Sequence, residues 1–359
     1  MFPETRYLRW AMRFYGQVPH DLASSGIPRI GHRDLPPLPA LDDAAGPARL
    51  KEAIAKFNDV PASEVVATLG ASHALWVAYA TLLSPGDELL VEDPSYEPLW
   101  RAAEASGVGT SRFERRAEDG FAIDPEHVAA SMTDRTKVVA VTNLHNPTGV
   151  RTTDEVLREL ARTVGARGAH LLVDEVYAPF DGLVGASGVW GKTARHLGDN
   201  VIVASSLTKC FGAGDQRVGW VLAPRAVIAR AEDALVGSLG HLPVEHANMG
   251  VHVFRHLPAL AERARASLEG KREIVARWVL ARADLHWSRP TSGLFGFAWR
   301  PGAGDLTARI ERGASDLGVL VGAGAFFGMP EGFRLAWSLP REDLATALEK
   351  LEELLSASP

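Results

Sequence analysis

The chain reads as an α/β protein with two units: a large domain on a mostly parallel central sheet and a smaller α+β domain. Three observations predict this. Strand-like apolar runs alternate with helical patterns from about Ala48 to Leu222, an order that calls for parallel strands joined by right-handed crossovers. Beyond His286, two runs of strand-like alternation, Ser292 to Trp299 and Phe333 to Ser338, lie between helical stretches, as in an α+β unit. The length, 359 residues, exceeds the roughly 250–300 at which one core stops growing. The expected division is an N-terminal arm (1–47) joining the small domain, a large domain (48–283) and a C-terminal small domain (284–359).

Within the arm, Arg29 to Pro47 is rich in proline and small residues and reads as an extended crossing. The strand Val65–Thr68 ends in Gly70-Ala71-Ser72, and an apolar helical pattern (Ala74, Leu75, Ala78, Tyr79, Leu82) begins at once. The first backbone N–H groups of a helix lack internal partners and face the positive end of its dipole, so this turn suits a phosphate. An ordinary N-cap would look the same. The strand Lys137–Val141 leads into Asn143-Leu144-His145-Asn146-Pro147-Thr148-Gly149, ahead of an amphipathic helix near Asp154 to Arg167. Turn punctuation explains that loop equally well, but it lies at the carboxyl end of a buried strand, where open α/β sheets bind ligands. Leu171-Leu172-Val173 runs into Asp174 and Glu175, and a carboxylate there needs a cation or donors. A protonated pyridine nitrogen would serve. Val201–Ala204 is followed by Ser206-Leu207-Thr208-Lys209, with Arg217 eight residues on. A lysine amine free to condense with an aldehyde, beside a hydroxyl and a planar cation, fits a cofactor carrying an aldehyde and a phosphate, such as pyridoxal 5'-phosphate. One long helical pattern, about Leu257 to Ala283, is expected to bridge the two domains.

Taken in order, Gly70-Ala71-Ser72, Pro94-Ser95-Tyr96, Asn146-Pro147-Thr148-Gly149, Asp174-Glu175-Val176-Tyr177, Ser206-Leu207-Thr208-Lys209, Arg217 and Phe333-Arg334-Leu335 resemble the class I/II aminotransferases. These are fold-type-I pyridoxal-phosphate enzymes. The resemblance runs from about residue 45 to the C-terminus. It implies that Lys209 forms the Schiff base and moves the substrate proton, that Asp174 pairs with the pyridine nitrogen, and that Tyr177 and Asn146 bond the ring hydroxyl. It further implies that Tyr96 stacks on the ring, that Ala71, Ser72, Ser206 and Arg217 hold the phosphate, and that Arg334 grips the substrate α-carboxylate, with Gly26 beside it. Amino-acid and 2-oxo-acid substrates and a homodimer follow from the same resemblance. One departure stands out. Many relatives place a phosphate-binding tyrosine from the partner subunit shortly before Ala45, where Leu41, Asp42 and Asp43 stand here. The arm segment Asp21 to Gly26 resembles that of capreomycidine synthases, which use the scaffold for elimination and cyclisation.

Composition agrees with a soluble enzyme. A net charge of −6 leaves no basic footprint for nucleic acid or anionic membranes. The single cysteine, Cys210, excludes an intrachain disulfide framework. No stretch approaches the roughly 20 apolar residues of a membrane helix, and Met1 to Gly16 is too charged for a signal peptide, so the cytoplasm is expected. His241, His246, His252 and His256 have spacings that suit no compact metal site. His145 is expected to be a bystander, and Arg29 and Arg33 solvated arm residues. The expected activity is amino transfer, with elimination or cyclisation as the alternative on the same scaffold. A non-catalytic, cofactor-sensing regulator would carry a DNA-binding domain before the large domain, and the roughly 50 residues there are too few for one.

Overall fold

The computed structural model describes residues 3–31, 34–38, 45–182 and 187–356. The arm contributes a helix, Arg6–Phe14, and a two-residue strand, β1 (His20–Asp21). Seven strands then form the main sheet: β2 (Val65–Leu69), β3 (Glu88–Asp93), β4 (Gly109–Glu114), β5 (Thr136–Thr142), β6 (His170–Asp174), β7 (Val201–Ser206) and β8 (Val218–Leu222). Their spatial order is β2-β8-β7-β6-β5-β3-β4. Strand β8 runs antiparallel to both its neighbours, and the other pairings are parallel.

Period-two alternation explains why these segments are strands. Val139, Val141, Leu171, Val173, Val201 and Val203 enter the core on one face of the sheet. The residues between them, Val138, Ala140, Leu172, Ile202 and Ala204, enter the core on the other. A sheet covered by helices on both faces requires such continuous apolar runs. The polar residues that break the runs therefore fall together at one edge. The carboxyl ends of β5, β6 and β7 carry the Asn143–Gly149 loop, Asp174–Tyr177 and Ser206–Lys209. The Asn143 N–H donates to Asp174 O at 2.9 Å and Glu175 N–H to Ala204 O at 2.9 Å, which extends the strand ladder into these loops.

A second core gathers the small domain with the arm. Its strands are β9 (His286–Trp287), β10 (Phe295–Trp299), β11 (Val319–Leu320), β12 (Gly322–Ala323) and β13 (Gly332–Ala336). Four make an antiparallel sheet in the order β12-β13-β10-β9, and β1 pairs in parallel with β11. Trp287 and Trp337 are buried in this core with Trp299 at its margin, and Tyr7, Trp10 and Leu22 of the arm join them.

The bridging helix departs from expectation, because it is two helices, Leu257–Leu268 and Lys271–Leu280. The break falls at Gly270, whose φ of 68° is a left-handed conformation that costs glycine little. The apolar pattern passes through the break because each half faces a different core. Leu257, Leu260 and Ala264 pack on the large domain, whereas Val275 and Val279 pack on the small one.

One buried ion pair braces the sheet. Arg115 Nη1 lies 2.7 Å from Glu92 Oε2, with both side chains at 0 % exposure. Removing one member of such a pair leaves an uncompensated buried charge. Arg115→Leu is expected to cost about 3–5 kcal/mol of stability in denaturant unfolding, with much of the loss recovered when Glu92 is also made apolar. A loss below about 1 kcal/mol, the scale of exposed pairs, would contradict that account.

Candidate active site

Three strand ends and one strand of the small domain converge on Lys209. Its amine is pushed down to about 8 by burial, then by the nearby Arg334 and Arg217 cations, with Asp174 opposing. Asp174 ends β6 at 3 % exposure. Burial raises its carboxyl to about 6, although Val176 N–H donates to Oδ1 and Lys209 is close enough to oppose the rise. Tyr177 is buried beside it, and burial holds its phenol above the ordinary range. Its hydroxyl lies 2.7 Å from Ser25 Oγ.

Arg334 stands in β13 at 0 % exposure. Its Nη1 donates to Asn146 Oδ1 at 2.8 Å, and its Nη2 to Tyr7 Oη at 2.7 Å and Ala23 O at 2.8 Å. The cation also lies 5.0 Å from the Phe327 ring centre and 5.2 Å from that of Phe295. Gly26 packs on the lysine: a Cβ there would meet Lys209 Cδ at 3.6 Å, an ordinary contact. The backbone next to it is tied down by Ile27 N–H donating to Lys209 O at 2.9 Å. Tyr96 stands edge-on to Tyr7, with ring centres 5.6 Å apart.

Gly70, Ala71 and Ser72 open the helix Ala71–Leu82, with no side chain capping its start. Arg217 arches over this turn. A Cβ on Gly70 would come within 2.7 Å of its Nη2, so glycine is what permits the approach. That Nη2 reaches only Leu69 O, at 3.3 Å. Ser206 pairs with Gly219, which itself abuts Gly70. A guanidinium, a hydroxyl and an uncapped helix N-terminus thus face one spot, and this donor set fits a phosphate. The lysine amine and the buried carboxyl beyond it fit the aldehyde and ring nitrogen of pyridoxal phosphate.

A buried network fixes the loops. Glu92 Oε1 accepts from Thr142 N–H at 2.7 Å and Thr142 Oγ1 at 2.6 Å, and Thr142 Oγ1 accepts from Asn146 N–H at 2.9 Å. His145 has a structural place in this network. It is wholly buried, and burial, then Arg115, pushes its pKa well down. Its Nε2–H donates to Pro94 O at 2.9 Å, so Nδ1 accepts from Thr148 Oγ1 at 2.6 Å. A neutral imidazole therefore ties the Asn146 loop to the Tyr96 loop. Glu175 turns away from the site and accepts from Thr193 Oγ1 and Ala194 N–H. His252 Nε2 holds Pro36 O at 2.8 Å, and no cluster of metal-binding side chains occurs among the described residues. Leu41, Asp42, Asp43 and Arg33 lie outside the described residues.

Sequence reasoning missed Tyr7, Ala23 and Ser25, which all come from the arm. The family model for aminotransferase class I and II matches residues 38–351. The chain belongs to this family. It is a pyridoxal-phosphate-dependent enzyme of the transaminase type, and its cofactor is pyridoxal 5'-phosphate. The enzyme is 31% identical to capreomycidine synthase of Streptomyces vinaceus over 96% of this chain and 92% of the relative. It is also 31% identical to the arginine–pyruvate transaminase of Pseudomonas aeruginosa, over 86% of this chain and 80% of that one. A pyridoxal-phosphate-dependent aminotransferase from Streptococcus suis superposes with a TM-score of 0.87 at 22% identity, covering 99% of this chain and 98% of that one, and so shares the fold. No helix of the described residues is long and apolar enough to cross a membrane.

The raised Asp174 carboxyl makes stability pH-dependent. Its ordinary value is 3.8 and the folded value about 6, so the fold binds the proton more tightly than the unfolded chain does. Its contribution is fully present below about pH 4 and is lost as pH rises through about 6. In the cofactor-free protein, Asp174→Asn is expected to exceed wild type in stability at pH 7, by on the order of 3 kcal/mol at most, and to match it near pH 4. Denaturant unfolding at the two pH values checks this, and an equal difference at both would contradict it.

Proposed function

We propose that the enzyme transfers an amino group from an L-amino acid to a 2-oxo acid, working as a cytoplasmic homodimer. The observation that carries this reading is the placement of Arg334. A fully buried guanidinium, bonded to Asn146, stands near enough to Lys209 to depress its amine. A carboxylate on Arg334 would put the α-carbon of an amino acid beside that amine.

Pyridoxal phosphate, when bound, supplies an aldehyde for the substrate amine and a ring that withdraws electrons from the α-carbon. The rest falls to this chain. Arg217, Ser206, Ser72 and Ala71 would hold its phosphate at the helix start, and Tyr96 would pack on its ring. Asp174, which has no side-chain cation bonded to it among the described residues, would hold the ring nitrogen in its protonated form. Asn146 and Tyr177 bond the ring hydroxyl. Arg334 and Asn146 would hold the substrate carboxylate, with Gly26 beside it. Lys209 takes the proton from the α-carbon; its depressed pKa leaves a useful fraction of the amine neutral near pH 8. The homodimer reading is supported by the helix Arg225–Leu239, in which only Ile228 and Ala231 are buried, and by Val236 on it at 61% exposure.

A second reading is favoured by one observation. The match to capreomycidine synthase spans 96% of the chain, against 86% for the arginine–pyruvate transaminase, so it takes in more than the family core. On that reading the same lysine and carboxyl serve elimination and ring closure. L-Arginine with pyruvate is the first substrate pair to test, given the relatives' names. Amino transfer predicts that an L-amino acid without an acceptor yields about one equivalent of 2-oxo acid per subunit and stops until pyruvate or another 2-oxo acid is added. Repeated turnover without an acceptor, releasing a β-substituent or closing a ring, would establish the second reading instead.

A further inference from the structure

The arm brings an unassigned tyrosine to the carboxylate arginine. Tyr7 lies in the arm helix Arg6–Phe14 at 2% exposure. Its backbone N–H donates to Glu97 Oε2 at 2.6 Å, and its ring packs against Phe327 at 5.4 Å and Phe326 at 5.9 Å between centres. Helix and ring together aim the hydroxyl at Arg334 Nη2.

That atom decides how a carboxylate can bind. A guanidinium grips a carboxylate in parallel along one of two edges, Nε with Nη2 or Nη1 with Nη2. Either edge needs an Nη2 proton, and both Nη2 protons are directed to Tyr7 Oη and Ala23 O. Arg334 Nε, by contrast, is buried without a hydrogen-bond partner among the described residues. The Ala23 carbonyl cannot readily yield. Its residue is fixed by Ala23 N–H to Asp21 Oδ1 at 2.8 Å. The preceding residue is fixed by Leu22 N–H to Leu320 O and Ala336 N–H to Leu22 O, both at 2.8 Å. The Tyr7 hydroxyl, which lies beside that of Tyr15, can yield, because as an acceptor from Nη2 it retains a proton of its own to redirect. Rotation about its C–O bond turns that proton toward an incoming oxygen.

We propose that Tyr7 is a substrate-binding residue: its hydroxyl shares the α-carboxylate of the amino acid with Arg334, donating to the oxygen that Nη2 also holds. This deepens the reading of Arg334 above and rests on it. The arm thereby becomes part of the binding site, since Tyr7, Ala23, Ser25 and Gly26 line it from one stretch of chain. Selectivity follows: an amine lacking the carboxylate gains nothing from Tyr7.

The test is a titration of the holoenzyme, followed by cofactor absorbance, with three matched pairs: L-arginine and agmatine, L-alanine and ethylamine, L-phenylalanine and phenethylamine. The pair giving a saturable response in wild type is carried into Tyr7→Phe and Arg334→Ala. Tyr7→Phe keeps the ring and its packing and is expected to weaken the amino acid about tenfold, the scale of one hydrogen bond to a charged group. Amine binding should stay within about twofold. In steady state, KM should rise while kcat holds. An unchanged amino-acid affinity, or an equal loss for amino acid and amine, would overturn the role of Tyr7. Arg334→Ala separates the two levels. If it weakens the amino acid and Tyr7→Phe does not, the tyrosine alone is refuted; if neither does, the carboxylate is held elsewhere and the reading of Arg334 falls too. Because the ratio of amino acid to amine is read within one sample, a change in folded fraction cannot mimic the result.

Discussion

Arg334 is a cation taken wholly out of water, and among the described residues its partners are all neutral oxygens. Its hydrogen bonds go to an amide, a phenol and a backbone carbonyl, and three aromatic rings lie within 5.6 Å of its charge. Burying an ion without a counter-ion is costly unless its donors are met, and meeting them draws three separate parts of the chain to one point. Asn146 comes from the end of β5, Arg334 from the small-domain sheet, and Tyr7 and Ala23 from the arm. The bonds of this one side chain help to close the seam between the two cores, as do Ser288 Oγ to Thr148 O and Ser95 N–H to Phe327 O, and the seam is where the candidate site lies.

The electrostatics of the site follow from the same constraint. Arg334 and Arg217 both lie near enough to Lys209 for their charge to add to burial in depressing its amine. Asp174 experiences the opposite, a carboxyl whose burial outweighs the attraction of Lys209. The lysine and the aspartate are thus each held away from their ordinary charge states. A phosphate under Arg217 and a carboxylate on Arg334 would offset the cations that depress the amine, and a protonated ring nitrogen would give Asp174 a partner. Perturbed groups gathered in one seam are what a catalytic site requires, and the buried Glu92–Arg115–His145 network holds them without itself touching the seam.

Much of this could be read from the sequence because strand ends are punctuated. Val65–Thr68, Lys137–Val141, Leu171–Val173 and Val201–Ala204 each stop at glycine, asparagine, aspartate or serine, and a parallel sheet brings all such ends to one edge. Arg334 was visible through the resemblance of Phe333-Arg334-Leu335 to the family's C-terminal motif. The arm was opaque. Tyr7, Ala23 and Ser25 act through contacts 152 to 327 residues away in sequence, and no local period marks them. The structural role of His145 was not legible because a loop histidine carries no sign of burial, and its partner Pro94 lies 51 residues upstream. The single long helix was misread because its apolar spacing continues through Gly270 while the core it faces changes.

The central claim is that Lys209 is the residue to which the cofactor attaches. Borohydride reduction of the purified holoenzyme, followed by peptide mapping, tests it directly. The account predicts a single pyridoxyl-modified peptide containing Ser206 to Cys210 with the label on Lys209, absent from Lys209→Ala. A pyridoxyl group on any other lysine, or an unchanged label in that variant, would contradict it.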